Sequence, residues 1–157
     1  MTATAPIGNN VPRGEKQSLR ITSEEGLVAV AETDEDVRVL FVEDDPSVAQ
    51  MYKLKLELDG YQVTVASDGE QALESATSNP PDIVFLDIRL PKMDGLAVLE
   101  KLRETENTKQ VPVVILSNYS ERELVERGLK LGALEYLIKS QTTPAKLAGG
   151  VESWLKA

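Results

Sequence analysis

Four apolar runs in this chain each stop abruptly at a charged or hydroxyl residue, and few folds accommodate that pattern. Ile83-Val84-Phe85-Leu86 ends at Asp87, residues 37–42 run into Glu43-Asp44-Asp45, Val113-Val114-Ile115-Leu116 ends at Ser117, and Tyr136-Leu137-Ile138 ends at Lys139. Continuous apolar stretches suit strands buried on both faces of a parallel sheet, and such sheets bind ligands beyond the carboxyl ends of their strands. Acids, a hydroxyl and a lysine are therefore expected to converge at one rim. That set can hold a hard cation and a phosphoryl group.

Helical patterns alternate with the runs. Asp45 can cap a helix with Pro46 at its first position, carrying Val48, Met51, Leu54 and Leu58 on one face and Gly60 after its end. A strand is expected over 61–65. Asp68 and Gln71 form a capping box ahead of Ala72, Leu73 and Ala76, and Pro80-Pro81 stops that helix. Asp94 can cap a helix with Leu96, Leu99 and Leu102, while Ser120 and Glu123 make a capping box for one closed by Gly132. Thr143-Pro144 opens a last helix with Leu147, Val151, Trp154 and Leu155, weakened at Gly149-Gly150. Five βα units with right-handed crossovers give a three-layer α/β sandwich.

The chain divides near Val37. Residues 1–36 hold seven acids against three bases, lack aromatics and carry Pro6, Gly8, Pro12 and Gly14, the composition of a disordered acidic tail. Leu19-Arg20-Ile21 and residues 27–31 flank Ser23-Glu24-Glu25-Gly26, which fits a short hairpin or a partner-binding segment. Residues 37–157 are expected to form the one folded domain. A net charge of −9 argues against direct contact with nucleic acid or an anionic membrane. No apolar stretch approaches the ~20 residues of a membrane span, so a soluble cytoplasmic protein is expected. The chain has no cysteine and no histidine, which removes disulfides, thiolate sites and the commonest general base. Its chemistry must run on carboxylates, hydroxyls and amines.

Each candidate residue also has a plain structural reading. Asp45 serves equally well as a helix cap. Glu43 and Asp44 are harder to dismiss, because adjacent carboxylates joined by Asp87 repel unless they share a cation. All-oxygen ligation favours a hard ion. Mg²⁺ suits one or two carboxylates with waters and a phosphate, whereas Ca²⁺ would want a twelve-residue acidic loop that is absent. Ser117 alone is a strand-end hydroxyl, but opposite Asp87 it becomes a hydrogen-bond donor. Lys139 balances charge among these acids rather than simply reaching to solvent.

The residues Val42-Glu43-Asp44-Asp45-Pro46, Phe85-Leu86-Asp87-Ile88-Arg89-Leu90-Pro91-Lys92-Met93-Asp94-Gly95, Ile115-Leu116-Ser117 and Gly132-Ala133-Leu134-Glu135-Tyr136-Leu137-Ile138-Lys139 resemble the motifs of bacterial response-regulator receiver domains. The likeness spans roughly residues 37–155. It implies a flavodoxin-like (βα)5 fold with a five-stranded parallel sheet in the order 2-1-3-4-5. It further implies that Asp87 accepts a phosphoryl group from the phosphohistidine of a sensor histidine kinase or phosphotransfer protein. By the same resemblance, Mg²⁺ would be bound by Asp44, Asp87 and the main-chain carbonyl of Arg89, with Glu43 acting through water. Ser117 and Lys139 would contact the phosphoryl oxygens, and Tyr136 holds the switch aromatic position. Self-directed phosphotransfer and autodephosphorylation would be the only enzymatic activities.

Several positions depart from the commonest pattern or flank the phosphoryl group. Ser140 stands where the family usually has proline in a cis peptide, and a trans bond is expected there. Asn118 replaces a smaller residue, and Arg89 and Tyr119 flank the phosphoryl position, where their bulk would slow the attacking water and prolong the phosphorylated state. The chain ends directly after the last helix, which suggests a stand-alone receiver whose output surface comprises the last two helices and the strand between them. Its partners would be a kinase and a downstream protein target, with a phosphorylation-dependent homodimer also compatible.

Other classes fit less well. A degenerate receiver acting as a phosphorylation-independent interaction module would not need the intact acid set. A haloacid-dehalogenase-type enzyme would want aspartate two residues after its nucleophile, where Arg89 stands. A flavodoxin-like cofactor carrier would not place acids where a flavin phosphate needs amides and hydroxyls.

Overall fold

The computed structural model describes residues 18–21, 29–32 and 37–157. Strands β1 (Ser18–Ile21) and β2 (Ala29–Glu32) pair antiparallel, in line with the hairpin reading of that segment. The rest of 1–36 lies outside the described residues, and with it most of the expected disordered tail.

From Val37 onward strands and helices alternate: β3 (Arg38–Val42), α1 (Pro46–Leu58), β4 (Gln62–Ala66), α2 (Gly69–Ser78), β5 (Ile83–Leu86), α3 (Gly95–Glu104), β6 (Val113–Ser117), α4 (Arg122–Lys130), β7 (Glu135–Ile138) and α5 (Pro144–Leu155). The five strands β3 to β7 form one parallel sheet in the order β4-β3-β5-β6-β7, which is 2-1-3-4-5 counted within the sheet. All five strands therefore point their carboxyl ends to one rim.

Because successive side chains on a strand face opposite ways, each central strand feeds two cores. Leu40, Val42, Val84, Leu86 and Ile115 pack with Leu96, Leu99 and Leu102 of α3 and Ala72 and Ala76 of α2. On the other face Val39, Phe41, Phe85, Val114 and Leu116 meet Tyr52 and Leu56 of α1 and Leu147, Val151 and Trp154 of α5. Three aromatic contacts link that second core, with Phe41 stacked on Tyr52 at 5.2 Å and Trp154 edge-on to Phe85 at 5.7 Å. Among the described residues no helix is long and apolar enough to cross a membrane.

Three local expectations fail. The buried face of α1 is Ala49, Tyr52 and Leu56, while Met51, Leu54 and Leu58 are exposed. The helix carries two apolar stripes, and the one holding a tyrosine wins because its ring stacks on Phe41 while its hydroxyl donates to the Thr142 carbonyl. The expected capping box at Ser120 does not form. Helix α4 starts one residue later, with Glu121 as its N-cap and no side-chain cap bond. The loop before it is held by the Tyr119 N–H on Ser117 Oγ at 3.1 Å and by the Tyr136 hydroxyl on the Tyr119 carbonyl. Finally, β7 is an edge strand and only half-buried, so its apolar run is not covered on both faces.

Candidate functional site

The sheet's rim collects the acids where the strands end. Glu43 follows β3 and is 3% exposed, whereas Asp44 beside it faces solvent. Asp45 turns away to cap α1, its Oδ1 accepting from the N–H groups of Ser47 at 2.9 Å and Val48 at 3.3 Å. Asp87 follows the fully buried β5 and is itself buried. One carboxylate oxygen from each of Glu43, Asp44 and Asp87 lies within 4.8 Å of the others.

Lys139, at the end of β7, crosses to this cluster. Its Nζ donates to Glu43 Oε1 at 2.6 Å and to Asp87 Oδ2 at 2.8 Å. The other Asp87 oxygen accepts the Ile88 N–H at 2.7 Å, and the other Glu43 oxygen accepts the Asp45 N–H at 3.1 Å. Both buried carboxylates are thus oriented by main-chain donors. Burial pushes the Glu43 carboxyl above its ordinary value, and the Lys139 and Asp45 hydrogen bonds only partly offset this. Burial by itself would lower the Lys139 amine, but its bonds to Asp87 and Glu43 outweigh that and carry it upward.

Three carboxylates against one ammonium leave a formal charge of −2 in this cluster. A divalent ion with oxygen preference fits that surplus, and the donor set offers neither nitrogen nor sulfur ligands to favour a softer metal. The residues present therefore fit Mg²⁺.

The surrounding loops shape the mouth of the site. Gly95, the first residue of α3, donates its N–H to the Ile88 carbonyl at 2.7 Å, and a Cβ there would sit 2.0 Å from the Asp87 carbonyl oxygen. Only glycine lets α3 approach the Asp87 backbone so closely. Ser117 is completely buried. Arg89 lays its guanidinium over the Tyr119 ring, 4.3 Å from the centroid, and the Tyr136 hydroxyl reaches the Tyr119 carbonyl. Burial pushes the Tyr136 phenol up. The peptide before Ser140 is trans, as expected, since no cis bond occurs among the described residues.

Glu43, Asp44, Asp87 and Lys139, singled out from sequence, therefore meet around one point, with Ser117 at the end of the neighbouring strand β6. Arg89 and Tyr119 were expected beside the site, but their stacking was not. Two positioning contacts were missed, the Ile88 N–H on Asp87 and a bond from the Ser140 N–H to Asn118. The second carries a sequence signal: a residue with an N–H where proline is usual, and an amide side chain where a smaller one is usual.

A family model described as the response regulator receiver domain matches residues 39–149. The transcriptional regulatory protein PrrA of Mycobacterium tuberculosis is 44% identical over 102 residues, which are 65% of this chain and 43% of PrrA. The chain thus spans less than half the length of that relative. The receiver domain of the Francisella response regulator 1452 superposes with a TM-score of 0.70 at 35% identity, covering 77% of this chain and 98% of that one. The Vibrio cholerae chemotaxis protein CheY4 gives a TM-score of 0.70 at 29% identity, covering 75% and 98%.

Proposed function

Since the chain belongs to the response regulator receiver domain family, whose work is phosphorylation-based two-component signalling and not classical enzymatic turnover, we propose that Asp87 is its phosphoacceptor. The donor is the phosphohistidine of a sensor histidine kinase or phosphotransfer protein, and the chain itself supplies no histidine. The observation that carries the reading is the Lys139 ammonium bridging Glu43 and Asp87 at 2.6 and 2.8 Å beside Asp44.

In this reading an Asp87 carboxylate oxygen attacks phosphorus in line, the P–N bond to the donor imidazole breaks, and its electron pair stays on that nitrogen, which takes a proton. The obstacle is electrostatic: an anion attacks an anion. Lys139 offsets it by following the charge from the carboxylate to the transferring phosphoryl oxygens. Asp44, Asp87 and the Arg89 carbonyl would hold Mg²⁺, with Glu43 acting through water. The ion supplies charge neutralisation and orientation of the phosphoryl group. Ser117 donates its hydroxyl to a phosphoryl oxygen, and Tyr136 responds to the movement of Ser117, changing the surface formed by α4, β7 and α5. A downstream protein reads that surface. Arg89 and Tyr119, stacked across the mouth, hold water off the acyl phosphate and lengthen its life.

Incubation with a phosphoramidate donor and Mg²⁺, followed by intact-mass measurement, tests this. Wild type gains one phosphoryl group, which is lost in acid, while Asp87→Asn or removal of Mg²⁺ with chelator prevents the gain. Equal gain by wild type and Asp87→Asn, or none by wild type, would overturn the assignment.

A further inference from the structure

Ser140 gives the peptide after Lys139 an N–H that proline would lack. Residues Lys139–Gln141 form a single 3₁₀ turn, and the first N–H groups of such a turn find no partner within it. The Ser140 N–H instead donates to Asn118 Oδ1 at 2.8 Å, across 22 positions of sequence. Asn118 directly follows Ser117, and Ser140 directly follows Lys139. The bond thus joins the two loops whose preceding residues meet the phosphoryl group.

Both partners are exposed, so water would satisfy either one in the other's absence. The bond is not needed to rescue a buried polar group. Its consequence is geometric. Lys139 directly follows a half-buried edge strand and reaches Asp87 through a flexible four-carbon stem, whereas Ser117 ends a completely buried strand. A tether from the loop after the buried strand to the loop after the half-buried one limits where the ammonium can go.

We infer that Asn118 is a positioning residue for Lys139, its amide oxygen holding the Ser140 N–H so that Ser117 and Lys139 approach the phosphoryl group as one unit. This rests on the phosphoacceptor role of Asp87. A cross-loop hydrogen bond, which only a residue with an N–H at position 140 can make, restrains this loop.

The test uses the full chain as wild type, Asn118→Ala, Asn118→Asp, Ser140→Pro and the Asn118→Ala/Ser140→Pro double variant. The initial rate of phosphate gain from a phosphoramidate with Mg²⁺ is measured alongside amide hydrogen exchange at Ser140. Asn118→Ala is expected to slow phosphate gain about fivefold, the factor one neutral hydrogen bond is worth, and to speed exchange at Ser140 without lowering the melting temperature. Asn118→Asp, which keeps the acceptor oxygen, restores slow exchange. In the Ser140→Pro background, Asn118→Ala has no further effect on rate. An unchanged rate in Asn118→Ala, unchanged exchange at Ser140, or an equal slowing with and without Ser140→Pro would overturn the inference. Should Ser140→Pro fail to fold, the two single Asn118 variants decide the matter. Failure of wild type to gain phosphate would instead defeat the phosphoacceptor reading, leaving Ser140 exchange to judge the tether alone.

Discussion

At the scale of single residues, the site is a balance of charges brought together by strand ends. Lys139 is the only cation bonded to Glu43 and Asp87 among the described residues, so its removal leaves two buried carboxylates facing each other. Lys139→Met in Mg²⁺-free buffer is expected to cost about 2–3 kcal/mol in urea unfolding, the range for losing a charged hydrogen bond from a buried partner. An unchanged midpoint would contradict the charge balance described above. Tyr119 makes a different case. Its stacking with Arg89 at 4.3 Å is worth about 0.5–1 kcal/mol, so Tyr119→Ala is expected to shorten the half-life of the phosphorylated protein by a few-fold, read by loss of the phosphorylated mass. An equal or longer half-life would remove the water-excluding role.

Tyr136 offers a pH test. Burial raises its phenol above the ordinary tyrosine value of about 10. A raised folded-state value means the protonated form is favoured by folding, so its contribution to stability is full below pH ~10 and is lost as pH rises through the folded value. Ultraviolet titration of wild type against Tyr136→Phe should show one tyrosine ionising above the range of free tyrosine. A difference curve centred at or below pH 10 would contradict it. The site residues were legible because each acid, hydroxyl or amine closes an apolar run. For the Ser140 to Asn118 bond the sequence shows only two unusual residues and not their pairing, since both are surface polar positions 22 apart and only the tertiary fold puts them in register.

At the scale of elements, caps and breakers were the clearest signals. Asp45, Asp68, Asp94 and Thr143 each accept a main-chain N–H of the first helical turn, as their spacing indicated. The buried face of α1 was harder to read, because Met51, Leu54 and Leu58 look more apolar than Ala49 and Tyr52. Hydrophobicity scales discount a tyrosine whose hydroxyl finds the Thr142 carbonyl and whose ring fills the core beside Phe41. Helix α5 tests local propensity directly. A Cβ at Gly149 would meet no atom within 4 Å, while one at Gly150 would strike the Trp154 ring at 2.6 Å. Gly149→Ala is expected to stabilise the protein by about 0.5–1 kcal/mol, and Gly150→Ala to destabilise it by displacing Trp154 from Phe85. Thermal unfolding of the pair checks this, and a lower melting temperature for Gly149→Ala would contradict it.

At the scale of the whole molecule, the sheet order brings the ends of β3, β5, β6 and β7 side by side, so that motifs up to 96 residues apart in sequence share one rim. The order was legible because right-handed crossovers leave few ways to arrange five βα units. The half-burial of β7 was less so, as an edge strand and a central one look alike over three apolar residues. Carrying a domain from almost wholly inactive to almost wholly active takes about 5.5 kcal/mol of differential interaction. In the proposed phosphorylated state, Ser117 and Lys139 contacts to the phosphoryl group would supply roughly 1.5–3 kcal/mol each, less whatever Lys139 already gains from Glu43 and Asp87, so switching is expected to be incomplete without a partner.

All of this rests on Asp87 being the residue that takes the phosphoryl group. Borohydride reduces an aspartyl phosphate to homoserine, and peptide mass mapping after Mg²⁺-dependent phosphorylation reads where that conversion occurred. The account predicts homoserine at position 87 and nowhere else; homoserine at position 44 or 45 with Asp87 untouched would contradict it.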